Sequence, residues 1–212
     1  MSRAARKKSS NYHSPLRAKQ AAETRRLILS AALALFWEHG WAGTTLAMIA
    51  SQAGVSVDTI HVIFRTKSAL LLEVFEVAIV GDDGEDRMAD RPEFTAIAKG
   101  RRSDRVRTGV RYTIANYERS LPIVETLREA AASDEQAHAR LLQYSQDRHD
   151  LAAIALELVL GHEAAPDVVD AVWTLLGPDV YSNLIKDRGW TPTQVEDWLV
   201  DLMQVALKPR HH

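Results

Sequence analysis

The amino-acid sequence predicts an all-α protein, and three observations support this fold class. Apolar side chains recur at helical spacing in successive segments from residue 19 onward. The last hundred residues contain no alternating run of Val, Ile and Thr of strand length. Ser, Thr and Pro stand where helices would begin, and Gly stands where they would end. With 212 residues, of which 46% are hydrophobic, the chain is long enough to bury a substantial core.

Charge divides the chain into a basic N-terminal third and an acidic remainder. Residues 1–70 carry ten Lys or Arg and three Asp or Glu side chains, a net +7, whereas the remaining residues carry a net −9. Residues 1–18 have almost no apolar side chains, so we expect a disordered basic arm. The basic third predicts contact with a nucleic acid, and a basic arm on an ordinary acidic domain is the simpler alternative.

Two longer helices flank a pair of short ones in the N-terminal region. The first runs from Lys19 to Gly40, where glycine can adopt the left-handed conformation that ends a helix. The fourth contains the segment ALLLEVFEVAIV. We expect Ser68 to cap this helix and Gly81 to end it.

The two short helices match a helix-turn-helix unit. Thr45 and Ser56 are good N-caps for them, and Gly54 supplies the turn between them. Close crossing of the pair needs a small residue on the first helix and apolar residues toward the core. Ordinary helical hairpins share some of these features, so the prediction depends on how many positions match. They are Ile49, Ala50, Ala53, Gly54, Val55, Ile60 and Ile63.

The rest of the chain is expected to be helical after a connecting segment. Residues 81–104 are dense in charge and Gly, so we expect a mobile connection with at most one short helix. Helices are then expected over residues 104–119, 122–132 and 134–160.

The C-terminal segment carries capping signals and much apolar surface. Pro178 fits the first position of a helix and Gly189 its end, while Thr191 and Gln194 fit a capping box at the start of the last helix. The large apolar side chains between residues 173 and 203 exceed what a chain end usually carries. We expect part of this surface to be a subunit interface, with packing in the core as the alternative.

The third helix would enter a major groove with its outward side chains toward the bases. It offers no Arg, Gln or Asn for a bidentate base contact. Asp58 could accept a hydrogen bond from a cytosine amine or only favour the helix dipole, and Thr59 could contact a base or a phosphate. Val57 or Val62 could pack on a thymine methyl. His61 could bind a phosphate or be a plain surface histidine.

Phosphate contacts are predicted from hydroxyl and cationic side chains around this unit. Thr45 lies at one helix N-terminus and Lys67 just before the next helix. Arg25 and Arg26 add positive charge on the first helix, and Arg17 and Lys19 add it from the arm. DNA affinity should therefore fall as salt increases.

Other classes of function find little support in the sequence. A di-metal site in a helical bundle needs two Glu-x-x-His motifs, and Glu135 with His138 supplies only one. There is no P-loop, dinucleotide-binding motif, nucleophile elbow or cysteine, so we expect no catalysis, metal or cofactor. Neither a signal peptide nor an apolar run of about 20 residues is present, so we expect a cytoplasmic protein without a membrane span.

The segment TTLAMIASQAGVSVDTIHVIFRTKSALL resembles the TetR family of bacterial transcription regulators. The segment GPDVYSNLIKDRGWTPTQVEDWLVDLM resembles the last helices of many actinobacterial members. The resemblance implies a homodimer through its C-terminal helices, a palindromic double-stranded DNA operator, and a pocket for a small-molecule inducer in each subunit.

The family pattern carries over to part of the helix-turn-helix unit. Thr45, Ser56, Thr59 and Lys67 match positions that commonly touch DNA in the family. The chain departs from the family pattern at three positions. It has Asp58 where glycine is usual, His61 where tyrosine is usual, and Ile63 where tyrosine or histidine is usual.

The resemblance places DNA binding in residues 19–67, and ligand binding and dimerisation in residues 68–207. Tyr112, Tyr117 and Tyr144 are candidate ligand contacts because a tyrosine ring combines apolar faces with a polar tip, although each could be plain core or surface. An inducer would release a repressor by favouring a conformation that does not fit the operator. The alternative is a small-molecule-binding or interaction protein of this fold with weakened or lost operator recognition.

Overall fold

The computed structural model of the chain describes residues 14–80 and 88–208. Three parts of the sequence lie outside the described residues: the predicted arm up to residue 13, residues 81–87 of the predicted connection, and the terminal histidine pair. The described residues contain no strand, which confirms the all-α class. Their helices are α1 (Ser14–Gly43), α2 (Leu46–Ala53), α3 (Val57–Phe64), α4 (Lys67–Val80), α5 (Pro92–Thr95), α6 (Arg102–Ala131), α7 (Glu135–Leu160), α8 (Pro166–Leu175), α9 (Pro178–Ser182) and α10 (Pro192–Ala206).

Helix α1 begins and ends differently from the prediction. It starts at Ser14, so the expected arm is wrong at its C-terminal end, because Pro15 falls in the first turn, where its missing N–H is harmless. Gly40 interrupts α1 with φ 64° and ψ −167°, and helix resumes as far as Gly43. The buried hydroxyl of Thr44 donates to the carbonyl of Gly40 at 2.8 Å, so the interruption leaves this acceptor satisfied.

Helix α4 is capped by Thr66 and not by Ser68 as predicted. Thr66 Oγ1 accepts a hydrogen bond from the N–H of Ala69 at 3.0 Å. Ser68 lies in the first turn of α4, is buried, and donates its hydroxyl to Asp134, the N-cap of α7. The serine therefore joins α4 to the start of α7.

The described part of the connection is folded onto the helices that follow. Two turns of 3-10 helix, Met88–Asp90 and Ala96–Ala98, flank α5. Phe94 and Ile97 are each 1% exposed. The prediction of a mobile connection with at most one short helix is therefore wrong for residues 88–98, since these two apolar side chains hold the segment in the core.

Helix α6 is continuous, so the predicted break between residues 119 and 122 is wrong. Pro122 lies inside the helix, where proline removes one backbone hydrogen bond. Ser120 Oγ donates to Asn116 O, and Thr126 Oγ1 donates to Pro122 O, both at 2.8 Å. Packing of α6 against α1, α4, α7 and α10 outweighs the helix-breaking tendency of proline.

The C-terminal caps are confirmed. Pro178 is the first residue of α9, and Thr191 Oγ1 accepts from Gln194 N at 3.2 Å while Gln194 Oε1 accepts from Thr191 N at 2.8 Å. Helix α9 continues into an unpredicted π-helical turn, Asn183–Asp187. Gly189, with φ 68°, follows this turn as expected.

Two clusters of buried apolar side chains fill the molecule. The N-terminal core joins α1–α4 to the C-terminal half of α6 and the first half of α7. The C-terminal core joins α5, the first half of α6, the second half of α7 and α8–α10. The N-terminal core therefore crosses residue 67, with α1 packed against α6, and α4 packed against both α6 and α7.

Candidate DNA-binding unit and ligand cavity

Helices α2 and α3 form a helix-turn-helix unit with a bend of 105° between them. Both predicted caps are confirmed: Thr45 Oγ1 accepts from Met48 N at 3.2 Å, and Ser56 Oγ accepts from Thr59 N at 3.1 Å. Gly54 makes the turn in the left-handed conformation, with φ 68° and ψ 32°. The buried apolar positions of the pair are Ile49, Ala50, Ile60 and Phe64.

The outer face of α3 is partly polar and partly apolar. Asp58 and His61 are exposed, and Val62 is 82% exposed. Val57 and Thr59, which were also expected to face outward, are half-buried. Val57 packs against the N-terminal core, and the hydroxyl of Thr59 lies 2.9 Å from the hydroxyl of the N-cap serine. A contact from Thr59 to DNA would therefore replace or share this hydrogen bond.

His61 is held by the residue that ends its helix. Its Nδ1 lies 2.9 Å from the carbonyl oxygen of Arg65, and because a carbonyl only accepts, Nδ1 carries the proton of this hydrogen bond. Nε2 is the nitrogen left for DNA. In the neutral ring Nε2 accepts, which suits a base amine, whereas the predicted phosphate contact requires the charged ring.

Arg65 combines an exposed cation with an unusual backbone conformation. Its φ is 65° and its ψ is −54°. Among the described residues, Arg65 is the one non-glycine residue with a positive φ. Backbone strain of this kind occurs at functional sites, and the side chain lies at the C-terminal end of α3, beside His61. Residue type alone gave no signal for this conformation.

Two of the cations predicted to anchor phosphates, Arg25 and Arg26, already have partners within the protein. Arg25 forms an ion pair with Glu73 of α4, and its guanidinium carbon lies 4.9 Å from the centre of the Phe64 ring. Arg26 pairs with Glu23 at 2.6 Å. These contacts orient the two arginines on α1, so phosphate binding would have to compete with them.

Lys67 and Glu129 meet at the interruption of α1. The ammonium of Lys67 donates to the carbonyl of Trp41 and lies 4.0 Å from the centre of its indole ring. Burial lowers the pKa of Lys67. Glu129, near the end of α6, accepts a hydrogen bond from the N–H of Trp41 at 2.9 Å. Glu129, from the second predicted domain, thus helps to hold the contact between the end of α1 and the start of α4, which we call the joint between α1 and α4.

A cavity of about 100 Å³ lies in the C-terminal core between α6, α7 and α8. Tyr112 and Tyr117 line it from α6, and Tyr144 lines it from α7, so all three tyrosines named from the sequence border the same space. Phe94 and Met203 close it from α5 and α10. A largely apolar lining of this kind is typical of small-molecule sites.

The polar groups around this cavity are unequally satisfied. Tyr117 donates its hydroxyl to Leu176 O at 2.5 Å. The hydroxyl of Tyr144 and the indole N–H of Trp173 are buried and have no hydrogen-bond partner. Burial raises the pKa of Tyr112, Tyr117 and Tyr144, so these phenols stay neutral at physiological pH and keep a proton that they can donate.

No group of three or more His, Cys, Asp or Glu side chains in residues 14–80 and 88–208 could hold a metal ion. No single helix in those ranges is long and apolar enough to cross a membrane, and α2 and α3 reach that composition only when they are counted together as a bent pair.

The model of the family of bacterial regulatory proteins named tetR matches residues 28–74, from the middle of α1 into α4. The helix-turn-helix region of the chain is therefore similar to that of the TetR family. The HTH-type transcriptional regulator AcrR of Shigella flexneri is 42% identical over 59 residues, which are 28% of this chain and 27% of that protein. The chain therefore matches about a quarter of the length of this relative.

Solved structures of TetR-family regulators share the whole fold. A tetR-family transcriptional regulator from Streptomyces coelicolor superposes with a TM-score of 0.67 at 19% identity, covering 87% of this chain and 80% of its own. PfmR from Thermus thermophilus gives a TM-score of 0.56 at 17% identity, covering 88% and 96%. At these identities the similarity shows the fold, namely an N-terminal helix-turn-helix domain followed by a helical bundle.

Sequence reasoning missed four side chains at the candidate sites. Arg65 was counted only as charge, and Glu129 was not singled out. Arg148 and Trp173 line the cavity, but the sequence linked neither of them to the tyrosines. The spacing of Tyr144 and Arg148 on one face of α7, four residues apart, was the available signal for the arginine.

Proposed function

We propose that this protein is a TetR-family transcription regulator that binds a palindromic operator as a homodimer and is released by a small molecule in its cavity. The observation that carries the proposal is the helix-turn-helix unit, in which two confirmed N-caps present α3 on a buried apolar base. The relatives named above are transcription regulators by name, and the cavity behind the unit supplies a place for a signal.

DNA binding would use α3 in the major groove and helix N-termini on the phosphates. The hydroxyls of Thr45 and Ser56 lie at the N-termini of α2 and α3. Asp58 and His61 face outward for base edges, and Arg65 adds an exposed cation nearby. This set differs from the usual Arg, Asn and Gln readers, so we expect fewer bidentate base contacts and a larger share of phosphate and shape recognition.

Release would pass along α6. The first half of this helix lines the cavity through Tyr112 and Tyr117, and its C-terminal end holds Trp41 of α1 through Glu129. A ligand that shifts α6 would therefore move the joint between α1 and α4. This change alters the spacing of the two reading helices in a dimer, and its size is limited by the ligand's preference for one state.

Dimerisation through α10 is supported by apolar side chains on its surface. Trp198 is 37% exposed and Val205 is 62% exposed. Leu142 on α7 is 60% exposed and serves as a matched control. In light scattering, Val205→Glu should yield monomers, whereas Leu142→Glu should leave the dimer intact. Monomers from the α7 variant alone would place the interface elsewhere.

The operator is tested by selecting fragments of the source organism's genome with the purified protein, in the presence of competitor DNA at roughly 0.15 M salt. We expect enrichment of one palindromic site, and loss of this site in the double variant Thr59→Ala, His61→Ala. Thr174→Ala, an exposed hydroxyl change on α8, should leave the site enriched.

A second candidate function rests on the unusual face of α3. Val62 is almost fully exposed, Asp58 adds a negative charge beside a polyanion, and Arg25 and Arg26 are paired within the protein. These features suit a small-molecule-binding protein of the same fold that has lost its operator. Selection that yields only general, steeply salt-dependent DNA binding would favour this alternative.

A further inference from the structure

The charge around the cavity has one sign. Of the side chains that line it in the described part of the chain, Arg148 is the charged one, and no carboxylate is among them. A half-buried cation attracts anions more strongly than an exposed one because less water screens it. The lining therefore disfavours an organic cation and favours a ligand that carries negative charge or strong hydrogen-bond acceptors.

Arg148 is fixed in place at the cavity wall. Its Nη2 donates to Trp173 O at 3.2 Å and to Leu176 O at 3.4 Å. Its guanidinium carbon lies 5.7 Å from the ring centres of both Tyr144 and Trp173. A guanidinium has five N–H donors, so two bonds through one nitrogen do not exhaust its capacity.

The two buried donors without partners flank this guanidinium. Tyr144 is 5% exposed, and both its hydroxyl and the indole N–H of Trp173 lack an acceptor. Buried polar groups are normally hydrogen-bonded, so an unpaired donor at a cavity points to a missing acceptor. Two such donors beside one cation indicate an acceptor group with two oxygens.

We propose that the cavity binds a small apolar carboxylic acid of about the size of one aromatic ring, with its carboxylate held by Tyr144, Arg148 and Trp173. The inference rests on the proposed function, because it names the ligand class of the same cavity. The ring or chain of the acid lies against Phe94 and Met203, and the cavity volume of about 100 Å³ sets its size. Small rotations of the tyrosine and indole rings bring their donors to the carboxylate.

Three probes of nearly equal shape test the ligand class, namely benzoate, benzamide and benzylamine. Their binding to the full-length protein is measured by calorimetry at pH 7.5, where the first is an anion, the second neutral and the third a cation. We expect benzoate to bind about tenfold or more tighter than benzylamine, with benzamide between them. Equal affinities, tighter binding of benzylamine, or no binding of benzoate at millimolar concentration would overturn the proposal.

Variants assign the preference to named side chains. Arg148→Gln should abolish the advantage of benzoate over benzylamine, while Arg107→Gln should preserve it, because Arg107 pairs with Asp197 at 2.9 Å outside the cavity. Tyr144→Phe removes only the unpaired hydroxyl, so it should weaken benzoate binding several-fold without lowering the melting temperature of the free protein. If Arg148→Gln fails to fold, the benzoate affinity of Tyr144→Phe tests whether these side chains hold the carboxylate. Unchanged benzoate affinity in Tyr144→Phe would contradict the assignment.

The same probes separate the ligand class from the proposed function. Calorimetry uses the protein without DNA, so a preference for benzoate stands even if no operator is selected. Conversely, an operator that is selected from the genome and released by benzylamine but not by benzoate would retain the regulator and reject the acid.

Discussion

The two cores of this protein differ in how completely they are packed. The N-terminal core holds fully buried side chains such as Phe36, Ile49, Leu71 and Phe75, and its helices are joined by capped ends. The C-terminal core surrounds a cavity of about 100 Å³. Tyr144 packs in the first core and also lines the cavity of the second, and its buried hydroxyl has no partner.

This difference indicates a division of work between the two regions. The N-terminal core is complete without a ligand, so the helix-turn-helix unit has a fixed shape on which to hold its outward side chains. The C-terminal core leaves space and two donors without partners, which the proposed ligand would fill and satisfy. Stability in the first region and ligand response in the second are then separable by mutation.

The largest effect is expected from truncating the same residue type in the two cores. Leu71→Ala, in the N-terminal core, should lower the free energy of unfolding by about 4 kcal/mol, because its neighbours are packed on every side. Leu156→Ala, at the cavity wall, should lower it by about 2 kcal/mol, because its cavity side already lacks packing partners. Urea unfolding of both variants checks the ratio, and equal losses would remove the distinction between the cores.

The next effect compares two threonine caps, one in each region. Thr45 Oγ1 and Thr191 Oγ1 each accept one backbone N–H at 3.2 Å, from Met48 and Gln194. Thr45→Ala and Thr191→Ala should therefore each lower the free energy of unfolding by about 1 kcal/mol. Only Thr45→Ala should also weaken operator binding, measured by fluorescence anisotropy. Loss of DNA affinity in both variants would show that it reports general stability.

Coupling between the regions is expected to depend on Glu129. Glu129→Ala removes the acceptor for Trp41 N–H, and it should reduce the ligand's effect on operator affinity by about 1 kcal/mol while the ligand still binds. Glu129→Gln keeps an acceptor oxygen and should retain most of the effect. The measurement is operator affinity with and without saturating ligand, and an unchanged ratio in Glu129→Ala would exclude this route.

The smallest effect is expected at Arg65, the residue of the N-terminal region with a strained backbone conformation. Glycine adopts positive φ without strain, so Arg65→Gly should raise the free energy of unfolding by about 1 kcal/mol. The same change removes an exposed cation, so the slope of log affinity against log salt should fall by about 1. Arg65→Lys keeps the charge and the strain, and it should change neither quantity much. A stabilised Arg65→Gly variant with unchanged salt dependence would exclude a phosphate contact.

The sequence predicted the N-terminal region well because its determinants are local. Thr45, Gly54 and Ser56 act on backbone groups within a few residues, so a reader of the sequence can place α2 and α3 by cap and turn chemistry. Long-range packing produced the errors. A break was expected between residues 119 and 122, in a helix that α1, α4, α7 and α10 hold together, and the burial of Phe94 was concealed by charged neighbours.

The ligand cavity could be predicted only in part. Tyrosines were chosen for their chemistry, and the three named side chains border one space, although their binding of a ligand stays a prediction. Arg148 and Trp173 were out of reach because they come from helices α7 and α8, whose relative position depends on the tertiary structure. The sequence could not show that the Tyr144 hydroxyl and the Trp173 indole N–H lack acceptors, because this depends on which atoms surround them in the folded protein.

Amide hydrogen exchange with and without benzoate tests the division between the two cores most directly. We expect added protection in the first half of α6, in α7 and in α8, where the cavity is completed. Amides of α2 and α3 should keep the protection they have in the free protein or lose some of it. Added protection centred on α2 and α3, or spread evenly over the chain, would contradict this division. In this division, the N-terminal core is fully packed without a ligand, and a ligand completes the C-terminal core.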